Sequence, residues 1–157
     1  MQEFEIRSLS RSDYTELIEL WEASVRATHH FLTEADIQFY RPLILNEYFD
    51  QVALFGVSDQ EGVSGFIGVE SNHIQMLFIH PGVRERGIGR ALVSYAIDAL
   101  NATQVDVNEQ NEQAVGFYEH LGFRQVARAD HDAAGKPYPI LSMQLEKQPY
   151  VKEADVN

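Results

Sequence analysis

The most constraining stretch of the chain is Phe78-Ile79-His80-Pro81-Gly82-Val83-Arg84-Glu85-Arg86-Gly87-Ile88-Gly89-Arg90-Ala91-Leu92. An apolar run stops at Pro81-Gly82, a basic, glycine-bearing turn follows, and a helical pattern begins at Gly87. A chain with this piece sets the end of a strand against the start of a helix. The first amides of that helix have no intrahelical acceptor, and the macrodipole adds partial positive charge to them. Glycines let a bulky anion approach the backbone. Arg84, Arg86 and Arg90 gather three cations at the same place, in a protein with 12 Lys and Arg against 24 Asp and Glu and a net charge of −12. That local reversal of sign points to an anion site. The plainer alternative is an ordinary strand-to-helix turn with solvated arginines.

Two phosphate-binding motifs are excluded. A Walker loop needs Lys and then Ser or Thr after its last glycine, whereas Arg90-Ala91-Leu92 follow Gly89. A dinucleotide fingerprint needs a third glycine where Leu92 stands, and it belongs to the first turn of a parallel sheet. Here an antiparallel meander comes first: apolar runs over 52–58, 63–70 and 73–79 are separated by the turn signals Asp59-Gln60-Glu61-Gly62 and Ser71-Asn72.

The flanking segments read as alternating strands and helices. Residues 4–9 alternate as a short strand, and Ser10 with Asp13 forms a capping box ahead of a helix whose stripe is Tyr14, Leu17, Ile18, Trp21 and Val25. A second box, Thr33 with Asp36, opens a helix carrying Ile37, Phe39, Tyr40, Leu43, Ile44 and Phe49 on its apolar face. Residues 87–100 carry Ile88, Leu92, Val93, Ala96, Ile97 and Leu100 as a buried stripe. A strand over 104–107, a helix over 111–121 closed by Gly122, and strands over 123–129 and 140–145 complete the pattern. The expectation is a single domain over 1–147 with a polar tail over 148–157.

Composition removes several classes of function. The absence of cysteine removes disulfides, thiolate metal sites and a cysteine nucleophile. The adjacent His29 and His30 do not converge as helix-spaced ligands would, so no metal is expected. The negative charge disfavours nucleic acid and anionic membranes and favours cationic partners. With neither a basic, apolar leader nor a run of about 20 apolar residues, the chain reads as cytoplasmic. Self-association as a homodimer stays open.

The segment Arg84-x-x-Gly87-x-Gly89, following Leu77-Phe78-Ile79-His80-Pro81, resembles the pyrophosphate motif of the GNAT superfamily of acyl-CoA-dependent N-acyltransferases. A second motif of that family is matched by Asn111-Glu112-Gln113-Ala114-Val115-Gly116-Phe117-Tyr118-Glu119 with Leu121-Gly122-Phe123 behind it. The resemblance covers roughly residues 4 to 146. It implies an α/β fold of the α+β type: a mixed, mostly antiparallel sheet of about six or seven strands, splayed into a cofactor wedge, with about four flanking helices. It implies acetyl-CoA as cofactor and transfer of an acetyl group to a primary amine of a small molecule or peptide, by direct attack in a ternary complex. Backbone groups of Leu77, Phe78 and Ile79 would pair with the pantetheine arm like a missing strand. Arg84, Arg86, Gly87, Ile88, Gly89 and Arg90 would hold the pyrophosphate. Asn111 would reach the arm, Ala114 would keep the helix slim beside it, and Tyr118 would protonate the departing sulfur. For Asn111 an N-cap and for Tyr118 a core aromatic are the alternative roles.

The attacking amine must lose a proton. Many relatives place a carboxylate on the central strand, where Gln75 stands here, which leaves His29, His30, His73, Glu70 and Glu109. His29 is preferred, because 27–32 resembles the family's substrate-pocket loop and an imidazole titrates near working pH. A helix-end histidine bonded to backbone carbonyls is the alternative. His29, Phe31, Gln75 and Tyr138 are then the candidate acceptor-site residues, with simple packing as the alternative role of Tyr138 in Lys136-Pro137-Tyr138-Pro139. Two other readings stay open: a non-catalytic acyl-CoA sensor, and an enzyme that modifies protein N-termini or lysines.

Overall fold

The computed structural model of the protein describes residues 4–83 and 86–146. These form two compact units, one ending at Ala102 and the other starting at Thr103. Together they hold seven strands and four α-helices among the described residues, the element count expected from the sequence.

The first unit comprises β1 (Ile6–Leu9), α1 (Tyr14–Thr28), α2 (Glu34–Leu43), β2 (Ala53–Asp59), β3 (Gly62–Glu70), β4 (His73–Ile79) and α3 (Ile88–Leu100). Its strands form an antiparallel ladder in chain order, with Leu9 opposite Leu54, Phe55 opposite Ile67 and Phe66 opposite Phe78. The sequence signals act locally as expected. The Thr33 hydroxyl accepts from Asp36 N–H and the Asp36 carboxylate accepts from Thr33 N–H, both at 3.0 Å, so α2 starts where its capping box stands. Leu17, Ile18, Trp21 and Val25 of α1 pack with Ile37, Phe49, Leu54 and Phe66 into one core. Burying each such side chain stabilises the fold by about 1.5 to 3 kcal/mol.

The face of α2 departs from expectation. Phe39 is 43% exposed and stacks edge-on against Tyr40. Successive helical residues are about 100° apart, so Phe39 points well away from the buried Ile37. Pro42 lies inside α2 and has no N–H to give the preceding turn; the helix ends at Leu43 and widens into a π turn over Ile44–Tyr48. Phe49 is fully buried, but from the short 3₁₀ turn Phe49–Gln51. In α3 the buried residues are Ile88, Leu92, Val93 and Ala96, while Ile97 and Leu100 are only partly covered.

The second unit comprises β5 (Gln104–Asn108), α4 (Glu112–His120), β6 (Phe123–Ala129) and β7 (Ile140–Leu145). β7 lies between β5 and β6, antiparallel to both. Val105, Val107, Phe123, Leu141 and Met143 are buried. Gly122 follows α4 with φ +102°, the left-handed value that the sequence assigned to it. No described helix is long and apolar enough to cross a membrane.

Candidate active site

In the first unit the proposed anion site starts from a bare backbone. Gly65 of β3 lies opposite Ile79, and a β-carbon there would come within 2.7 Å of Ile79 Cδ1 and 3.0 Å of Ile88 Cγ2. Glycine at that point lets the end of β4 and the beginning of α3 close over β3. Gly87 is the N-cap residue of α3, with φ +86°, and it offers no capping side chain. The first helical backbone bond runs from Ala91 N–H to Gly87 O at 3.0 Å, so the N–H groups of Ile88, Gly89 and Arg90 precede the first intrahelical donor. Arg86 and Arg90 are exposed beside them. Amides without intrahelical acceptors, the positive end of a 13-residue helix and two cations suit a pyrophosphate. Arg84 lies outside the described residues. The left-handed backbone belongs to Gly87 alone, since Gly89 is already helical.

β4 brings its candidates together. Leu77, Phe78 and Ile79 are half-buried and pair with Ile67, Phe66 and Gly65. Register slips between Met76, opposite Gly68, and Ile74, opposite Val69, which leaves Gln75 as the extra residue of a β-bulge. Gln75 is exposed there. Nothing in the local sequence marks this bulge.

The loop after α1 carries the preferred base. His29 is the C-cap residue of α1, and its N–H donates to Val25 O at 2.7 Å. Its ring lies 5.3 Å from that of Phe31 and 6.3 Å from that of Phe78, so the loop and β4 do meet. His29 Nδ1 is 2.8 Å from the Thr28 hydroxyl, which also donates to Ser24 O at 2.9 Å. Burial among these groups, and then the neighbouring His30, lower the imidazole from its usual 6.5 to about 4. The expectation that it titrates near working pH is therefore corrected: desolvation keeps the ring neutral. Ser24 and Thr28, one helical turn apart before His29, are neighbours of this ring that the sequence reading missed; their spacing was the available signal.

The other base candidates fare differently. Glu109, in the second unit, accepts from Arg128 through both oxygens at 2.9 and 3.0 Å, and that guanidinium holds its carboxyl below the usual range. Both of its oxygens are thus committed to the guanidinium rather than open to an amine proton. Glu70 and His73 face each other across the β3–β4 hairpin. His30 is exposed.

Four more candidates, Asn111, Ala114, Tyr118 and Tyr138, lie in the second unit. Asn111 does cap α4, its Oδ1 accepting from Ala114 N–H at 3.2 Å, so its amide nitrogen stays available as a donor. Tyr118 is buried, edge-on to Phe117 at 5.1 Å and to Phe123 at 5.6 Å, and burial raises its phenol above the ordinary value of 10.0. Tyr138 is half-buried in the β6–β7 connection, where its N–H donates to Lys136 O at 2.7 Å. Among the described residues no group of three His, Asp or Glu side chains is placed to hold a metal.

The family model of the GNAT acetyltransferase domain matches residues 24–147. The chain belongs to this family. It is therefore an acyltransferase with the α/β GNAT fold. Curated relatives include the peptidyl-lysine N-acetyltransferases YjaB of Salmonella typhimurium (39% identical) and Escherichia coli K12 (37% identical). Each alignment covers 88% of this chain, with 95% and 94% of the respective relative. The solution structure of apo-form YjaB from Escherichia coli superposes with a TM-score of 0.82 at 35% identity, covering 94% of this chain and all of that one. The PaiA N-acetyltransferase of Thermoplasma acidophilum in complex with coenzyme A shares the fold, with a TM-score of 0.70 at 21% identity over 91% of this chain and 99% of that one.

Proposed function

We propose that the protein transfers an acetyl group from acetyl-CoA to the side-chain amine of lysine in a basic peptide or protein. The observation that carries this reading is the pair of lysine-modifying relatives, 39% and 37% identical over 88% of the chain. A net charge of −12 supports it, because it draws a cationic acceptor. The acyl thioester supplies an electrophilic carbonyl and a good leaving group; the remaining chemistry falls to this chain.

The amides of Ile88, Gly89 and Arg90, with Arg84 and Arg86, hold the pyrophosphate, and the β4 backbone at Leu77, Phe78 and Ile79 pairs with the pantetheine arm. Asn111 donates to that arm and Ala114 leaves room for it. Phe31, Gln75 and Tyr138 shape the acceptor site. The small neutral fraction of the lysine amine, its ammonium proton already lost to solvent, attacks the carbonyl, and the nitrogen becomes acidic as the C–N bond forms. His29, already neutral, accepts that proton. The C–S bond breaks, and Tyr118 gives its phenolic proton to the departing sulfur, then regains one from solvent. A phenol raised by burial stays fully protonated at working pH and so holds a proton to give.

The test combines the purified protein and acetyl-CoA with a lysine-containing basic peptide, the same peptide with its lysines blocked, small polyamines and a serine-only peptide. CoA release and product mass are read. Acetylation on lysine Nζ is expected. Turnover confined to free N-termini or small amines would overturn the lysine reading, and comparable turnover of hydroxyl acceptors would overturn the amine reading.

A further inference from the structure

We infer that Thr28 is a positioning residue that fixes His29 in its Nδ1–H tautomer and so presents the Nε2 lone pair to the acceptor amine. The inference builds on the proposed role of His29 and assigns work to a residue outside the substrate and cofactor sets.

It follows from proton counting. A hydroxyl has one proton to donate. Thr28 Oγ1 lies 2.9 Å from Ser24 O, which can only accept, so the hydroxyl proton points there. The reverse assignment would aim that proton at the imidazole and leave two acceptor oxygens facing each other at hydrogen-bond distance. With its proton spent on Ser24 O, Thr28 Oγ1 has lone pairs left for His29 Nδ1 at 2.8 Å, and that contact is a hydrogen bond only if Nδ1 carries hydrogen. A neutral imidazole has one ring proton, so Nε2 is left as the acceptor.

Helix geometry makes the arrangement rigid. Ser24 and Thr28 are four residues apart on the last turn of α1, which places the Thr28 hydroxyl over the Ser24 carbonyl. His29 follows as the C-cap, its own N–H tied to Val25 O at 2.7 Å. Two backbone carbonyls of one helical turn thus fix both the main chain and, through Thr28, the ring of His29. The Phe31 and Phe78 rings, 5.3 and 6.3 Å away, limit the other orientations open to the imidazole.

The direct test reads the nitrogen-15 shifts and long-range proton couplings of the His29 ring in the full chain at pH 7. A protonated Nδ1 and an unprotonated Nε2 are expected in the wild type and in Thr28→Ser, and a mixture with substantial Nε2–H in Thr28→Val. A wild-type proton on Nε2, or an unchanged tautomer in Thr28→Val, would overturn the inference. Turnover gives the second readout. Thr28→Val should lower kcat about three- to tenfold, the range that one neutral hydrogen bond sets, with the KM for acetyl-CoA unchanged and activity restored in Thr28→Ser. Equal kcat in wild type and Thr28→Val, alongside a His29→Gln variant that is itself impaired, would overturn the positioning role. If His29→Gln loses no activity, the base reading fails by itself, and the nitrogen shifts still decide the tautomer.

Discussion

The His29 imidazole and the Phe78 ring lie 6.3 Å apart, centroid to centroid, which sets the loop after α1 directly against strand β4. A base on that loop is consequently dry, neutral and close to the strand proposed to carry the thioester arm. His29→Gln should lower kcat by about 10²-fold or more, within the span of general acid–base catalysis. Since burial holds His29 at about 4, the wild-type ring is neutral throughout pH 6 to 9, and the ratio of wild-type to variant rates should stay constant there. Parallel pH–rate profiles check this. A wild-type limb near 6.5 that vanishes in the variant would contradict it.

The same shift sets the dependence of stability on pH. An unfolded His29 protonates near 6.5 and the folded one near 4, so the unfolded chain binds more protons between these values. The stabilisation is complete above pH 6.5 and is lost as pH falls toward 4. At about 1.4 kcal/mol per pH unit, the separation between 6.5 and about 4 amounts to about 3 kcal/mol. Denaturant midpoints measured from pH 7 to 4 should fall more steeply in the wild type than in His29→Gln. Equal slopes would show that the folded ring titrates at its ordinary value.

Glu109 is bound at both oxygens by Arg128, which also donates to Asp130 at 2.6 Å. With both oxygens occupied by Arg128, Glu109 is not open to an amine proton, and exposed ion pairs contribute little to stability. Glu109→Gln should keep turnover within about twofold of wild type, far below the loss expected for removing a general base. A steady-state assay at pH 8 decides this, and a hundredfold loss would move the base to Glu109.

The start of α3 predicts how cofactor binding responds to charge. Gly89 is helical and half-buried, so Gly89→Glu should leave the fold intact while adding bulk and negative charge beside the first-turn amides. Acetyl-CoA affinity by calorimetry should fall at least tenfold. Wild-type affinity should itself weaken as salt rises, because contacts between phosphate and arginine are screened. Undiminished binding in the variant, or no response to salt, would contradict the pyrophosphate assignment.

Much of this arrangement was legible in the sequence because it is local. The Thr33–Asp36 box, the glycine after α4 and the start of α3 at Gly87 depend on neighbouring residues, and the structure places all three where the sequence does. The acidity of His29 was not legible, because desolvation comes from Phe31 and from Phe78, which is remote in sequence. The bulge at Gln75 depends on the register between two strands, and the pairing of Glu109 depends on an arginine 19 residues away. Phe39 misled because a helical stripe is wide enough in sequence to admit a residue that the packed helix leaves exposed.

The central claim is that Tyr118, buried edge-on against Phe123, gives the proton that lets the thiol depart. Tyr118→Phe keeps the ring, its packing and its volume, and removes only the hydroxyl. The measurement is kcat with a saturating lysine peptide, beside acetyl-CoA affinity and melting temperature for the same preparation. A loss of about 10²- to 10⁴-fold in kcat is predicted, with affinity and melting temperature close to wild type. Near-normal turnover in the folded variant would contradict the account and leave Tyr118 as a core aromatic.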